Sequence, residues 1–458
     1  MASALEDYRR AERYVNSLIM GPPSPPPGTP PEEIRARAVA RLDRLRAFLG
    51  YLGDPQRQYR TIHVAGTSGK GSTTTFTASI LTAAGFKTGA HVSPYLQVAT
   101  EKLQIDGRII PAGRYAKLVD DMRASLEAWV ASRHERPNYG EFWVAMTYRY
   151  FAEEQVEVAV IEVGAGGRFD VTNVIEPDVA AITSIGYDHI VTLGSTLPEI
   201  AWHKAGIIKP GSIAVSAVGE PEAVPVIEAE ARQQGAELRR VRPGQEYEDV
   251  TSNEHGTSFR DTATGKRFHV TLPGTFQAAN AATAMTITRA FNPERVSDDA
   301  ITSGLSAARF PGRMETVQHD PLVLLDGAHN PEKVASLVRN LDILFPNRSR
   351  IFVFGALESK NYQEMLTSLL PQASRLIATA PYVLAKPSTT AAEIAALAPA
   401  GLPTEAIDDA LAAADRAIAL AGPDDLVIIT GSLYLVGNVR ERWYPTERIL
   451  EQGTCWPK

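Results

Sequence analysis

The chain has 458 residues, with 46 Lys+Arg against 53 Asp+Glu, a formal charge of −7 and a single cysteine. A hydrophobic fraction of 44% with 22% charged residues excludes disordered and fibrous classes, and at roughly 150 residues per domain the length predicts two or three globular domains. Cys455 cannot form an internal disulfide, which fits a reducing compartment. Glu6, Asp7, Arg9, Arg10, Glu12 and Arg13 argue against a secretory leader, and the lack of long apolar runs argues against a membrane span. Mild acidity argues against a nucleic-acid binder. The expectation is a cytoplasmic monomer with small-molecule partners, no nucleic acid and no membrane.

In chain order, proline fills seven of the ten positions from Pro22 to Pro31, which predicts a surface loop of polyproline character. Glu32 and Glu33 then open a helix whose apolar face is Ile34, Val39, Leu42, Leu45, Phe48 and Leu49. Short apolar runs ending in small residues recur at 61–67, 157–167, 178–186, 321–330, 350–357, 375–381 and 426–432, most of them followed by helical stretches. This alternation predicts an α/β protein with mainly parallel sheets, whose ligands sit at the carboxyl ends of the strands. Residues 237–272 alternate polar and β-branched types around Thr264-Gly265-Lys266, as in a small antiparallel meander. Helices follow over 277–290 and up to Ala308. A fresh strand–helix series after Arg309 predicts a larger domain over 1–309 and a smaller, Rossmann-like one over 310–458.

The strongest local signal is HVAGTSGKGSTTT (63–75), a strand entering a glycine-rich turn and then a helix. Backbone N–H groups of Gly66, Thr67, Ser68, Gly69, Lys70, Gly71, Ser72 and Thr73 can approach phosphate oxygens there. The helix N-terminus adds positive charge, Lys70 supplies an ammonium, and Ser72 or Thr73 can face Mg²⁺. Glu162 ends a buried apolar run, where a carboxylate needs a cation such as phosphate-bound Mg²⁺. Tyr95, Tyr139 and Phe142 could stack on a flat ring but read first as core, and Glu141 is equally open.

These motifs resemble those of the folylpolyglutamate and dihydrofolate synthases within the Mur ligase superfamily. The resemblance runs from GTSGKGS (66–72), with Ser68 in the usual Asn position, through 91–107, 161–175, 188–211, FPGRME (310–315), DGAHNP (326–331) and 353–362 to TGSLYLVG (430–437). It implies an ATP-binding domain followed by a Rossmann-like domain, and an ATP-dependent amide ligase acting through an acyl phosphate. It also implies that L-glutamate is added to dihydropteroate or a reduced folate. It assigns Ser93, Glu162 and His189 to metal binding and N-carbamylation to Lys204, which would then orient a second Mg²⁺. The plain alternative for Lys204 is a helix-surface lysine paired with Glu199. The resemblance also allows a monovalent cation. Arg313 fits a cation reaching the ATP phosphates. Asp326 and His329 are expected near the nucleotide and the reacting centre, Asn280 on the adenine, and Ser432 on the incoming amino acid. Lys70, Lys204, Arg313 and His329 are the expected catalytic set. The rival readings are a related ligase acting on a peptidoglycan precursor and a nucleotide-binding regulator without ligation.

Overall fold

The computed structural model describes residues 2–19, 28–384 and 386–458. The expected proline-rich loop therefore lies outside the described residues as far as Pro27. Two helices open the chain, Ala2–Ser17 and Pro31–Tyr51. The first buries Tyr8, Ala11 and Val15 along one face. The second buries Leu42, Leu45, Phe48 and Leu49 as its spacing predicts, but Val39 on the same stripe is 43% exposed. The N-terminal half lays Arg35 over the Trp202 ring and leaves Val39 outside the core, so the apolar periodicity extends beyond the apolar packing.

The main sheet contains β1 (Arg60–Ala65), β2 (Thr88–His91), β3 (Gln104–Ile105), β4 (Arg108–Ile109), β5 (Val158–Glu162), β6 (Val179–Ile182), β7 (Ile213–Ser216) and β8 (Glu237–Arg240). Their order is β4-β3-β2-β5-β1-β6-β7-β8, parallel except for the β3 and β4 edge. Parallel strands need crossover connections and burial on both faces, which is why β1, β5 and β6 read as continuous apolar runs. Val158 and Val160 pack with Phe76 and Ile80 on one face, whereas Ala159 and Ile161 pack with Phe48 and Trp143 on the other.

β9 (Tyr247–Asn253), β10 (Gly256–Asp261) and β11 (Arg267–Val270) form a separate antiparallel sheet. Its Phe259, Phe268 and Val270 pack against Ala278, Ala281 and Met285 of the helix Gln277–Phe291. The sequence places the start of this meander at Glu237, and here the structure differs. Glu237–Arg240 follows the helix Val224–Gln233 and pairs in parallel with β7. Its alternating pattern marks a half-exposed edge of the main sheet, because a crossover helix returns the chain to the sheet it left.

β12 (Glu315–His319), β13 (Leu322–Leu325), β14 (Ser349–Phe354), β15 (Arg375–Ala378), β16 (Thr404–Ala406) and β17 (Asp425–Thr430) build a second sheet, ordered β12-β13-β17-β14-β15-β16. All but β12 are parallel. The strand ends of the two large sheets meet at a cleft, where Lys360 Nζ lies 3.3 Å from Asp188 Oδ1. The C-terminal segment leaves the second sheet. Ile449, Leu450 and Cys455 join the core formed by Tyr8, Val15, Leu103 and Ile109. Among the described residues no helix is long and apolar enough to cross a membrane.

Candidate active site

β1 ends at Ala65 and the chain turns through Gly66–Gly69 into the helix Lys70–Ala83. Gly69 has φ 84°, and a Cβ there would lie 2.3 Å from Asn280 Oδ1. The turn is braced from the segment after β6: the Ser68 N–H donates to Ser184 Oγ, the Thr183 hydroxyl to the Ser68 carbonyl, and the Thr67 hydroxyl to the Gly186 carbonyl. Lys70 Nζ donates to the Gly66 carbonyl at 3.0 Å, and Lys204 Nζ donates to the same oxygen at 2.9 Å.

Lys204 is 3% exposed in the last turn of the helix Leu197–Ala205. Burial, reinforced by the Lys70 charge, pushes its amine down to about 7. The alternative pairing with Glu199 does not form. Glu199 instead accepts from the Ser195 and Thr196 N–H groups and closes the capping box of the same helix.

Glu162 closes β5, buried, with Oε2 accepting from the Ser93 N–H at 2.9 Å. Burial raises its pKa, against the charges of Lys70 and Arg313. Ser72 and Thr73 are buried in the first turn after Lys70. His189 stands close enough to Lys70 and Lys204 to feel their charges. Its side chain is 48% exposed, and its Nε2 lies 4.0 Å from Asp188 Oδ2. Despite burial, His189 and Lys360 hold the Asp188 carboxyl below its ordinary range.

The second domain brings its own groups to the cleft. Arg313 lies over the Phe310 ring at 5.0 Å, its guanidinium bonded to the Gly312 carbonyl. Phe310 reaches the phosphate loop, since a Cβ on Gly71 would meet its ring at 2.6 Å. Asp326 accepts from the Met314 and Ala328 N–H groups, and burial raises its pKa. His329 Nδ1 bonds the Gly327 carbonyl at 2.7 Å and its Nε2 meets Lys333 Nζ at 3.1 Å. Asn280 Nδ2 donates to Gln277 Oε1. Ser432 Oγ accepts from the Tyr434 N–H and so caps the helix Leu433–Arg440.

The donor set fits a polyphosphate. Ser68 Oγ, Thr73 Oγ1 and Gln277 Nε2 are buried without a hydrogen-bond partner around the glycine cradle. Lys70, Lys204, Lys333 and Arg313 converge there, and among the described residues none makes an ion pair. For Mg²⁺ the fit is one of few protein contacts. Among the described residues no three His, Cys, Asp or Glu side chains form a metal group. The metal would therefore rest on Glu162, nearby hydroxyls, phosphate oxygens and water, an arrangement that suits a hard cation which keeps part of its hydration shell.

Sequence reasoning missed Lys333, Lys360 and Asp188. Asp188 and Lys360 stand inside recognised motifs, and Lys333 lies one helical turn after His329, so spacing alone could have nominated it. Two open candidates resolve as structural: Phe142 is core, and Glu141 pairs with Arg44 at 2.8 Å.

A sheet domain carrying a glycine-rich loop, facing a second domain built on a mainly parallel sheet, matches the two-domain organisation of the Mur ligases. The Mur ligase middle domain family matches residues 64–288, and the Mur ligase glutamate ligase domain family matches 312–433. The dihydrofolate synthase/folylpolyglutamate synthase of Bacillus subtilis is 37% identical, with 88% of this chain and 94% of that protein covered. The Mycobacterium tuberculosis folylpolyglutamate synthase complexed with ADP superposes with a TM-score of 0.83 at 28% identity, covering 96% of this chain and 99% of that one. A structure described as an FPGS-AMPPCP-folate complex superposes with a TM-score of 0.77 at 30% identity, covering 95% and 99%. The chain belongs to the folylpolyglutamate synthase/dihydrofolate synthase family of ATP-dependent Mur ligases.

Proposed function

We propose that the protein joins L-glutamate to dihydropteroate and to reduced folates at the expense of ATP. The observation that carries this reading is the convergence of Lys70, Lys333 and Arg313 on one cleft with no ion-pair partner among the described residues. Unpaired cations drawn partly out of water are costly unless a polyanion meets them, and folate-type acids, glutamate and ATP are all anionic.

In this mechanism a substrate carboxylate oxygen attacks the γ-phosphorus, the bond to the bridging β–γ oxygen breaks, and ADP leaves an acyl phosphate. The neutral amine of glutamate then attacks the carbonyl carbon. The C–N bond forms, the C–O bond to phosphate breaks, and phosphate departs with the amine proton. Lys70 and the 66–73 backbone hold the phosphates from the first domain, and Arg313 offsets charge from the second. Asp326 fixes the 313–328 turn through its two backbone bonds. Neutral His329 stands beside that turn. Mg²⁺, when bound, would supply further charge neutralisation; Ser72, Ser93, Glu162 and His189 would hold it, and a carbamylated Lys204 would orient a second ion. Asn280 would meet adenine and Ser432 the amino acid. The linker at 309–313 contacts the phosphate loop through Phe310, so closing the cleft excludes water from the acyl phosphate.

The test is phosphate release from ATP by the purified protein. Release that needs both a pteroate-type acid and L-glutamate is expected. Release unaffected by every such pair would refute the reading.

A further inference from the structure

We propose that Lys333 is a further catalytic residue, the second domain's ammonium contact to the phosphoryl group as the acyl phosphate forms and breaks. The inference rests on the ligase reading above.

Lys333 lies in the first turn of the helix Pro331–Leu344, capped by Asn330. A helix N-terminus is the positive end of the dipole and favours acidic residues, so a lysine there does not serve the helix. Neighbouring Lys70, Arg313 and Lys360 are all close enough to act on its charge, and with burial they push its amine down to about 7. Of the carboxylates facing it, Asp188 opposes them most strongly and is already engaged by Lys360, while Glu162, Asp326 and Glu332 also feel the Lys333 charge without forming an ion pair with it.

The hydrogen bonds define what Lys333 has left to offer. His329 is bonded at Nδ1 to a carbonyl, so its neutral ring keeps the proton on Nδ1 and accepts at Nε2. Lys333 donates to that nitrogen. An ammonium carries three N–H donors. Among the described residues the other two have no acceptor, and Lys333 has no ion pair. The imidazole thus tethers the ammonium while leaving donors for an anion. Lys70 and Lys204 are both held on the Gly66 carbonyl from the first domain, whereas Lys333 and Arg313 face them from the second. A phosphoryl group between ATP and the substrate carboxylate would sit between these sets. Lys333 forms no covalent bond and transfers no proton in this role. It offsets the charge on the phosphoryl oxygens as one P–O bond breaks and another forms.

Lys333→Met keeps side-chain length and removes the charge. Its kcat for acid- and glutamate-dependent phosphate release should fall by about 10²–10³-fold, while its Kd for AMPPCP should change by less than about tenfold. Lys333→Arg should recover part of the loss. A second readout is independent of turnover. Acetic anhydride labelling of Lys333 in the wild-type protein should be suppressed by AMPPCP with Mg²⁺, while the exposed Lys117 stays equally reactive. Wild-type kcat in Lys333→Met, or labelling of Lys333 indifferent to the nucleotide, overturns the inference. If Lys333→Met does not fold, the protection measurement decides alone. A wild-type protein that releases no phosphate with any acid defeats the ligase reading instead, and protection of Lys333 by AMPPCP still decides the contact.

Discussion

Lys70 and Lys204 share one acceptor, the Gly66 carbonyl, at 3.0 and 2.9 Å. Burial, with the Lys70 charge adding to it, lowers the Lys204 amine to about 7. A neutral amine attacks CO₂ and an ammonium does not. Protein stripped of CO₂ should therefore regain turnover on adding bicarbonate, and the gain should fade as pH drops below about 7. Lys204→Ala should lose about 10²-fold or more in turnover, partly restored by acetate. Unchanged turnover in this variant would refute the carbamate role.

Glu162 is a buried carboxylate whose charged form burial disfavours. Glu162→Gln removes the charge and keeps the shape. Turnover should then need about 10–100-fold more Mg²⁺, with the melting temperature unchanged or raised, because an unmatched buried charge has been removed. A Mg²⁺ titration and a thermal melt of the same sample check both halves.

Arg440 is completely buried and ties four segments together. It bonds Glu315 of β12 at 3.0 Å, Gln97 Oε1 at 3.2 Å and the Cys455 carbonyl at 2.7 Å, and it stacks on Tyr444. Trp456 Nε1 also donates to Glu315. Removing one partner of such a pair costs about 3–5 kcal/mol. Arg440→Met should lower the melting temperature and free the C-terminal segment. Cys455, the only cysteine, reports that release. Its thiol is buried in the wild type and should react with a thiol reagent much faster in the variant.

His63 and His91 are buried in the main sheet, each pushed down to about 3, chiefly by burial. Between pH 3 and the unfolded value near 6.5 the unfolded chain binds more protons, so stability rises with pH across that window and falls on acidification. Each histidine contributes a slope of up to about 1.4 kcal/mol per pH unit. Denaturant midpoints measured from pH 7 to pH 4 should decline. His63→Gln should flatten the decline, and an unchanged slope would count against this assignment.

The α/β class, the strand at 61–65, the phosphate loop and the order of the motifs were legible in the chain, because backbone propensity and short glycine patterns are local properties. Lys70, Glu162 and Arg313 could be nominated for the same reason. Val39 and the edge strand Glu237–Arg240 were misjudged because periodicity describes which face is apolar and not what lies against it.

What the sequence by itself determined is therefore the parts: a phosphate-loop unit, a second strand–helix series and a family resemblance that spans both. Only the tertiary structure decided which charges stand unpaired. Lys204 could have paired with Glu199 five residues before it on its own helix, yet it reaches Gly66, and Lys333 meets His329 opposite Lys70. Charge at a site is a sum over groups brought together from distant segments. Burial sets how strongly each is felt, and neither is a property of any short stretch of chain.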